Sequence, residues 1–136
     1  MHRMLATAFT IATVLLAGCD SDDSTGPAQN AVSGTWNLVT VNSVPLPFVM
    51  QSTPRIELVS EQLVVSANGT FTQASQVRTT SGTTVSTQTV STAGTYALSG
   101  TTATFIFNDG TTGAGTVSGT TLTVAKPGRA YGYAKQ

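Results

Sequence analysis

The fold is decided by the stretch Ala103-Thr104-Phe105-Ile106-Phe107, which runs directly into Asn108-Asp109-Gly110. Successive side chains of an extended strand point to opposite faces, so Ala103, Phe105 and Phe107 share one face. The Asp-Gly pair is a hairpin signal, because both central positions of a tight turn need a positive φ that these residues tolerate. The stretch therefore predicts a half-buried strand that reverses at Asp109-Gly110.

The same pattern of strand and turn repeats along the chain. Asn68-Gly69 is an equally strong turn signal, and Ser-Gly pairs at 81–82, 99–100 and 118–119 are weaker versions of it. No segment places apolar residues at helical spacing over several turns. We predict strands at 34–42, 55–66, 70–79, 83–92, 94–99, 102–108, 112–118, 120–126 and 129–134.

Short turns between successive strands predict an all-β fold, a small antiparallel meander with one core. The abundant threonines suit the solvent-facing positions of such a sheet. A meander of about eight strands removes its exposed edges by closing into a barrel, and a two-sheet β-sandwich is the alternative. The expected core consists of Trp36, Leu38, Ile56, Leu58, Leu63, Val65, Phe71, Tyr96, Leu98, Ala103, Phe105, Phe107, Val117, Leu122, Val124, Tyr131 and Tyr133.

The N-terminal residues have the three parts of an export signal. Arg3 gives a basic start, an apolar run covers 4–16, and small residues precede Cys19. The run is shorter than the ~20 apolar residues that a membrane-spanning helix needs. We therefore predict a signal peptide at 1–18, an acidic tether at 19–31 and one domain at 32–136.

Leu16-Ala17-Gly18-Cys19 resembles the lipobox of bacterial lipoproteins, in which the cysteine sulfur receives a diacylglyceryl group before cleavage. The resemblance implies a chain held on the exported side of a membrane of the cell envelope by lipid on Cys19. Two or three acyl chains anchor a protein stably, because each buried methylene contributes ~0.8 kcal/mol. The alternative is an unmodified thiol after an ordinary signal. Inner membrane, outer membrane and cell surface all stay open as destinations.

The residue inventory argues against catalysis. The one histidine, His2, lies in the predicted signal and the one cysteine is Cys19, so the processed chain offers neither imidazole nor free thiol. Glu57 and Glu61 are interpreted as solvated carboxylates on one face of a strand, about 13 Å apart. We expect no enzyme activity, no cofactor and no metal. Residues 31–136 carry five basic and three acidic side chains, and a net charge of about +2 is too small to predict binding to nucleic acid or anionic lipid.

Gly34-Thr35-Trp36 and Val41-Asn42-Ser43-Val44-Pro45-Leu46-Pro47 together are similar to the opening of bacterial lipocalin-like lipoproteins. The runs Asn68-Gly69-Thr70-Phe71 and Gly94-Thr95-Tyr96-Ala97-Leu98-Ser99-Gly100 follow in the same order as in that family. The resemblance implies a small barrel, which is either filled by its side chains or holds one apolar or amphipathic molecule. It also implies that Arg129 packs over the Trp36 indole and closes one barrel end, the alternative being an arginine that is simply solvated.

The loop that begins at Pro45 is rich in apolar side chains that must pack somewhere. Leu46, Phe48, Val49 and Met50 are predicted to form a lid over one barrel end, or else the mouth of a ligand site or a partner contact. A ligand site there requires a cavity of at least ~300 Å³ lined by Phe48, Met50 and the interior aromatics. The alternative function is an envelope or surface interaction through the Thr/Ser-rich hairpin 73–92, whose tip we expect to project. The domain is expected to be monomeric in either case.

Overall fold

The computed structural model describes residues 31–136, which form ten strands preceded by a helical turn at Ala31 and Val32. The strands are β1 (Gly34–Val41), β2 (Val44–Pro45), β3 (Phe48–Ser52), β4 (Arg55–Val65), β5 (Thr70–Ser81), β6 (Thr84–Ser99), β7 (Thr102–Phe107), β8 (Thr112–Ser118), β9 (Thr121–Lys126) and β10 (Arg129–Lys135). The predicted signal peptide, Cys19 and most of the predicted tether lie outside the described residues. In the part that is described, no helix has the length and hydropathy to cross a membrane.

Eight of the strands form a closed antiparallel barrel. The order around the ring is β1-β10-β9-β8-β7-β6-β5-β4, and the pairing of β1 with β4 closes it. β2 adds to β1 beyond the segment that pairs with β4, and β3 adds to the outer edge of β4. The predicted barrel is confirmed. The sandwich alternative is wrong, because the β1–β4 ladder joins the two ends of one continuous sheet.

Two of the predicted strands are one strand in the structure. The segments 83–92 and 94–99 form the single strand β6. A Cβ at Gly94 would lie 2.1 Å from the carbonyl oxygen of Ile106 and 2.8 Å from the Phe71 ring. The glycine therefore allows β6 to continue through a close crossing where any other residue would clash.

Strands β2 and β3 were not predicted, because Pro45 and Pro47 argued against a regular ladder in this segment. Both strands lie at the edges of the sheet. A missing amide hydrogen costs no ladder bond where the strand has no neighbour on that side. The segment therefore forms short edge strands despite its prolines.

The barrel has an upper end and a lower end, which differ in the connections they carry. The upper end carries the turns at 108–111 and 127–128 and the segment 42–47. The lower end carries the turns at 66–69, 100–101 and 119–120, together with the point where the described chain begins. The tether predicted at 19–31 therefore joins the domain at its lower end.

Inward-facing side chains fill the barrel. The ring of Phe71 packs edge-on against Phe105 and Phe107, with centroids 5.2 and 4.9 Å apart. The buried Trp36 indole donates its Nε1–H to the carbonyl oxygen of Val32 at 2.7 Å, which fixes the helical turn against the lower end. The buried cluster adds Val32 and Val41 to the predicted core and does not include Ile56. Three other predicted core residues, Leu98, Val117 and Tyr131, are only partly buried. The partly buried side chains packed against it are Leu46, Phe48, Met50, Val77, Leu98, Val117 and Tyr131.

β5 and β6 continue beyond the barrel as a long hairpin. They pair from Thr70 opposite Thr95 to Ser81 opposite Thr84. β7, in contrast, pairs with β6 only from Gly94 to Ser99. Every residue from 81 to 91 is exposed. The projecting tip that was predicted for the hairpin 73–92 is therefore present, and its side chains are not packed.

Candidate functional site

A cleft opens at the lower end of the barrel interior, with a volume of about 540 Å³. Its walls are the half-buried side chains of Leu98 and Val117 and one side of Lys135. These residues follow the inward-facing Tyr96, Gly115 and Tyr133 by two positions on their strands, so they point into the barrel as well. Ala31, Gly100, Thr101 and Gly119 complete the rim.

Two glycine turns keep the rim of this cleft low. Gly100 and Gly119 have φ angles of 63° and 57°, a left-handed conformation that glycine adopts without strain. A Cβ at either position would meet no atom within 4 Å. The lower mouth is therefore open to solvent at the two places where a larger side chain would have room to cover it.

Lys135 is the cation of the lower mouth. Its Nζ lies 5.2 Å from the centroid of the Trp36 ring and donates a long hydrogen bond, 3.4 Å, to the carbonyl oxygen of Ala31. Both ion pairs among the described residues are made by Glu57, so Lys135 has no carboxylate partner within this part of the chain. Its ammonium can therefore meet an anionic group that enters the mouth.

The cation over Trp36 is Lys135 and not Arg129, which corrects the expected contact. In the β1–β10 ladder Trp36 lies opposite Lys135, at the lower end of the barrel. Arg129 is at the other end of β10, where its guanidinium lies 5.8 Å from the centroid of the Phe48 ring. The length of β10 separates the arginine from the indole.

A buried carboxylate lies in the middle of the barrel. Glu61 is 6% exposed, and its Oε2 accepts a hydrogen bond of 2.7 Å from Ser75 Oγ while its Oε1 accepts one from the hydroxyl of Tyr133. Burial, and to a smaller extent the charge of Glu61, raises the pKa of Tyr133 well above its usual range. Every buried side-chain polar atom among residues 31–136 has a partner. The cluster of Glu61, Ser75 and Tyr133 is therefore closed on itself and joins three strands of the barrel from within.

The interpretation of Glu57 and Glu61 as solvated carboxylates on one face is wrong. A β-bulge between Leu58 and Ser60 shifts the register of β4 against β5. Glu57 lies opposite Arg78 and Glu61 opposite Ser75, two residues of β5 that are separated by an odd number of positions. The side chains therefore point to opposite faces, Glu61 into the barrel and Glu57 outward.

On the outer face, Glu57 is held between two arginines. Its Oε1 accepts from Arg55 Nη2 at 2.7 Å, and its Oε2 accepts from Arg78 Nη2 and Nε at 2.7 and 2.8 Å. The hydrogen bonds from Arg78 and then Arg55 lower the pKa of Glu57. The carboxylate is 2% exposed because the two guanidinium groups lie over it. Since both arginines are paired with this carboxylate, we interpret Arg55, Glu57 and Arg78 as a structural clamp between β4 and β5.

The upper mouth is filled by side chains. Lys126 Nζ lies 3.8 Å from the centroid of Phe107 and 5.1 Å from that of Tyr131, and burial lowers the pKa of this lysine. Of the predicted lid residues, Leu46, Phe48 and Met50 pack against the core, whereas Val49 is 43% exposed. These are the contacts that a lid requires. Neither Phe48 nor Met50 lines the cleft at the lower mouth, the groove beside β6 or the two clefts near Arg55, so none of these is the cavity expected behind the lid.

A larger groove, about 820 Å³ in volume, lies beside the point where β6 separates from β7. Its lining includes Thr72, Ala74, Ser91 and the turn residues Asn108 and Asp109. The carboxylate of Asp109 already accepts a hydrogen bond from the backbone N–H of Thr111 at 2.8 Å. The groove is open and mostly lined by polar side chains, so it provides less enclosure than the lower mouth. Two smaller clefts lie beside Arg55 and Thr80, near the clamp and the hairpin tip.

No family model matches the chain, and no curated protein matches it. In residues 31–136, no group of three histidine, cysteine, aspartate or glutamate side chains is placed to hold a metal ion. Function must therefore be argued from the geometry of the barrel itself.

Lys135 and Glu61 were not predicted as interior residues, although the spacing of their neighbours along the strands indicates it for both. Lys135 continues the alternation of Tyr131 and Tyr133, and Glu61 precedes Leu63 and Val65 at the same spacing. Both residues were expected to be exposed because they are charged. The alternation of side chains along a strand, however, places both of them on the face that points into the core. The periodicity was the better guide.

Proposed function

We propose that the chain is an exported lipoprotein, anchored through lipid on Cys19, whose barrel binds one small amphipathic molecule at its lower mouth and performs no chemistry on it. The observation that carries the proposal is the cleft of about 540 Å³ between Leu98, Val117 and Lys135. Sites for small molecules typically have volumes of ~300–1,000 Å³, apolar walls and a few polar groups that orient the ligand. The lower mouth has each of these properties.

The chemistry of the lining favours a ligand with one apolar chain and an anionic head. Leu98 and Val117 offer apolar walls that continue into the buried core. Lys135 stands at the rim with its ammonium over the Trp36 ring and without an ion pair among the described residues. A carboxylate or phosphate head at the rim would pair with Lys135 while the chain enters between the two apolar side chains.

The position of the mouth agrees with a membrane-tethered protein. Ala31 lines the cleft, and it follows Cys19 by twelve residues of the predicted tether. An extended chain of that length spans at most ~40 Å, because each residue adds ~3.3–3.6 Å. A lipid group on Cys19 would therefore keep the lower mouth within reach of the membrane surface, where amphipathic molecules concentrate.

The binding test uses dodecanoate as the anionic probe and dodecyl maltoside as an uncharged probe with the same chain. Binding is followed by the fluorescence of Trp36, the one tryptophan of the chain, which lies under Lys135. Lys135→Gln should weaken dodecanoate binding about two- to fivefold, as expected for a partly exposed ion pair, and leave dodecyl maltoside unaffected. Lys126→Gln, at the upper end, is the matched control and should change neither affinity.

Filling the cleft gives an independent test. Val117→Phe adds a ring to the wall of the lower mouth and should abolish binding of both probes while the protein stays folded. Absence of dodecanoate binding to the parent protein, or equal losses for Lys135→Gln and Lys126→Gln, would refute a site at this mouth.

The anchor is tested separately. Cys19→Ala removes the sulfur that would carry the lipid and should move the protein from the membrane fraction to the aqueous fraction of the cell envelope. Unchanged membrane fractionation of this variant would show that lipid on Cys19 does not hold the chain.

A further inference from the structure

β6 presents a long strand edge that has no neighbour among residues 31–136. Of its sixteen residues, Gly94–Ser99 pair with β7, and the part from Thr84 to Ala93 pairs only with β5. All residues from 84 to 91 are exposed. Ten residues of strand extend over ~33 Å, so this is a full-length edge and not a frayed end.

The ladder alternation identifies the backbone groups that point away from β5. Ala93 directs its carbonyl oxygen outward, because it accepts a hydrogen bond of 2.9 Å from the N–H of Asn108. Backbone groups of an antiparallel strand alternate in direction with every residue. Val85, Thr87, Thr89 and Ser91 therefore present their N–H and C=O groups to the open side of the sheet.

The other edges of the sheet are protected and this one is not. β2 has two residues and ends in Pro45, and β3 has five residues and a β-bulge after Val49. Short edge strands, prolines, bulges and charged side chains are the features that prevent unwanted strand pairing. The segment 79–93 contains no proline and no charged residue. An unprotected edge of this length is suited to pair with another strand.

We propose that the free edge of β6 pairs with the same edge of a second copy of this chain, antiparallel and about a twofold axis at Gln88. In this register Val85 lies opposite Ser91 of the second copy and Thr87 opposite Thr89 of the second copy. The outward N–H and C=O groups of Val85, Thr87, Thr89 and Ser91 then find partners, which gives about eight hydrogen bonds between the copies. A twofold contact of this kind closes after two chains and leaves no further edge of β6 free.

The sequence of the edge favours a second copy over an unrelated strand. In the register about Gln88, Thr84 lies opposite Thr92 and Thr87 opposite Thr89 of the second copy, and each valine of the edge lies opposite a serine, so no two bulky side chains oppose each other across the contact. No charged group is present to repel an identical strand or to select a different one. Val85 and Val90, which are 60% and 48% exposed, would be partly covered by the pairing. The proposal is independent of ligand binding at the lower mouth, and it replaces the monomer expected from the sequence.

Cysteine cross-linking in cells that express the full chain tests the register. At the axis, Gln88 faces its own copy in a non-hydrogen-bonded pair with Cα atoms ~4.5 Å apart, within the range for a disulfide. Gln88→Cys should therefore give a covalent dimer on a non-reducing gel. Ser86→Cys is equally exposed but is offset from its own copy by four residues, about 13 Å, so it should stay monomeric. The parent chain measures any background from Cys19.

The cross-linking result can overturn the proposal in three ways. No dimer from Gln88→Cys, or equal cross-linking at both positions, would exclude pairing about Gln88. A cross-linked product whose mass is not twice that of the chain would show that another protein occupies the edge.

Proline substitution tests the pairing without cysteine. The N–H groups of Thr87 and Thr89 point away from β5, so proline at these positions removes outward donors and leaves the β5–β6 bonds intact. The double variant T87P/T89P should sediment as a monomer, whereas the parent and T87A/T89A should sediment as dimers. A parent protein that stays monomeric at tens of micromolar, or a proline variant that remains dimeric, would refute the proposal.

Discussion

Tyr133→Phe removes one hydroxyl and leaves Oε1 of the buried Glu61 without its donor. The ring and its packing are unchanged, so the loss reports the hydrogen bond and not a cavity. Leaving a buried polar group unsatisfied costs about 1–3 kcal/mol, and more when the group is charged. Because Glu61 is 6% exposed and keeps only the hydrogen bond from Ser75, we expect a loss of about 2–3 kcal/mol in the free energy of unfolding.

The assay is urea unfolding followed by the fluorescence of Trp36, which is fully buried in the folded protein. In a domain of this size the expected loss corresponds to a fall of about 10 °C in Tm. Tyr131→Phe is the matched control, because the same hydroxyl is removed from the same strand two residues earlier, where the side chain is only half-buried. The control should change the free energy of unfolding by less than about 0.5 kcal/mol.

A double variant separates the hydrogen bond from other effects. Removing both partners with Glu61→Leu and Tyr133→Phe should cost less than the sum of the single losses, because no buried group is then left without a partner. If Tyr133→Phe lies within about 0.5 kcal/mol of the parent, the carboxylate is not buried as described and the reasoning on the interior cluster fails.

Three further predictions concern the barrel wall and its titrating groups. Gly94→Ala should destabilise the protein by about 3 kcal/mol or more in urea unfolding, because its Cβ would lie 2.1 Å from a carbonyl oxygen; a neutral result would refute the crossing of β6. The pKa of Glu57 is lowered in the folded state, so the stability that this carboxylate contributes is present above its ordinary pKa of 4.5 and is lost as the pH falls. Arg78→Gln should reduce this loss of the free energy of unfolding at acidic pH, and an unchanged loss would exclude the clamp. The pKa of Tyr133 is raised in the folded state, so the stability that this hydroxyl contributes is complete below its ordinary pKa of 10.0 and is lost as the pH rises further. Tyr133→Phe should remove this loss of the free energy of unfolding at alkaline pH, and a loss that persists would show that another group causes it.

The strands could be predicted from the sequence because the signals for each strand lie within a few neighbouring residues. Ala103, Phe105 and Phe107 alternate with polar residues, and glycines at 69, 82, 100, 110, 119 and 128 adopt the positive φ that their turns require. Both signals need only a few neighbouring residues. Eight of the ten strands follow from them, with 83–92 and 94–99 read as two strands where there is one.

The candidate site could not be read in the same way. The lower mouth joins Leu98, Val117 and Lys135, which come from three strands far apart in the sequence. The contact expected between Arg129 and Trp36 failed for the same reason, since it depended on which end of β10 meets the indole. A resemblance that rests on short motifs does not show which residue of β10 lies opposite Trp36 in the β1–β10 ladder.

By itself, the sequence determined that the domain is an antiparallel β-structure with turns at its glycines, because the steric demands of strands and tight turns act within a few residues. Only the tertiary structure decided that Glu61 lies inside the barrel, that Glu57 lies outside between two arginines, and that one edge of β6 stays free. A single bulge after Leu58 reverses the faces of β4, and the closure of β1 on β4 sets which strand ends meet. These features depend on the register between distant segments, where a shift of one residue turns every side chain to the opposite face.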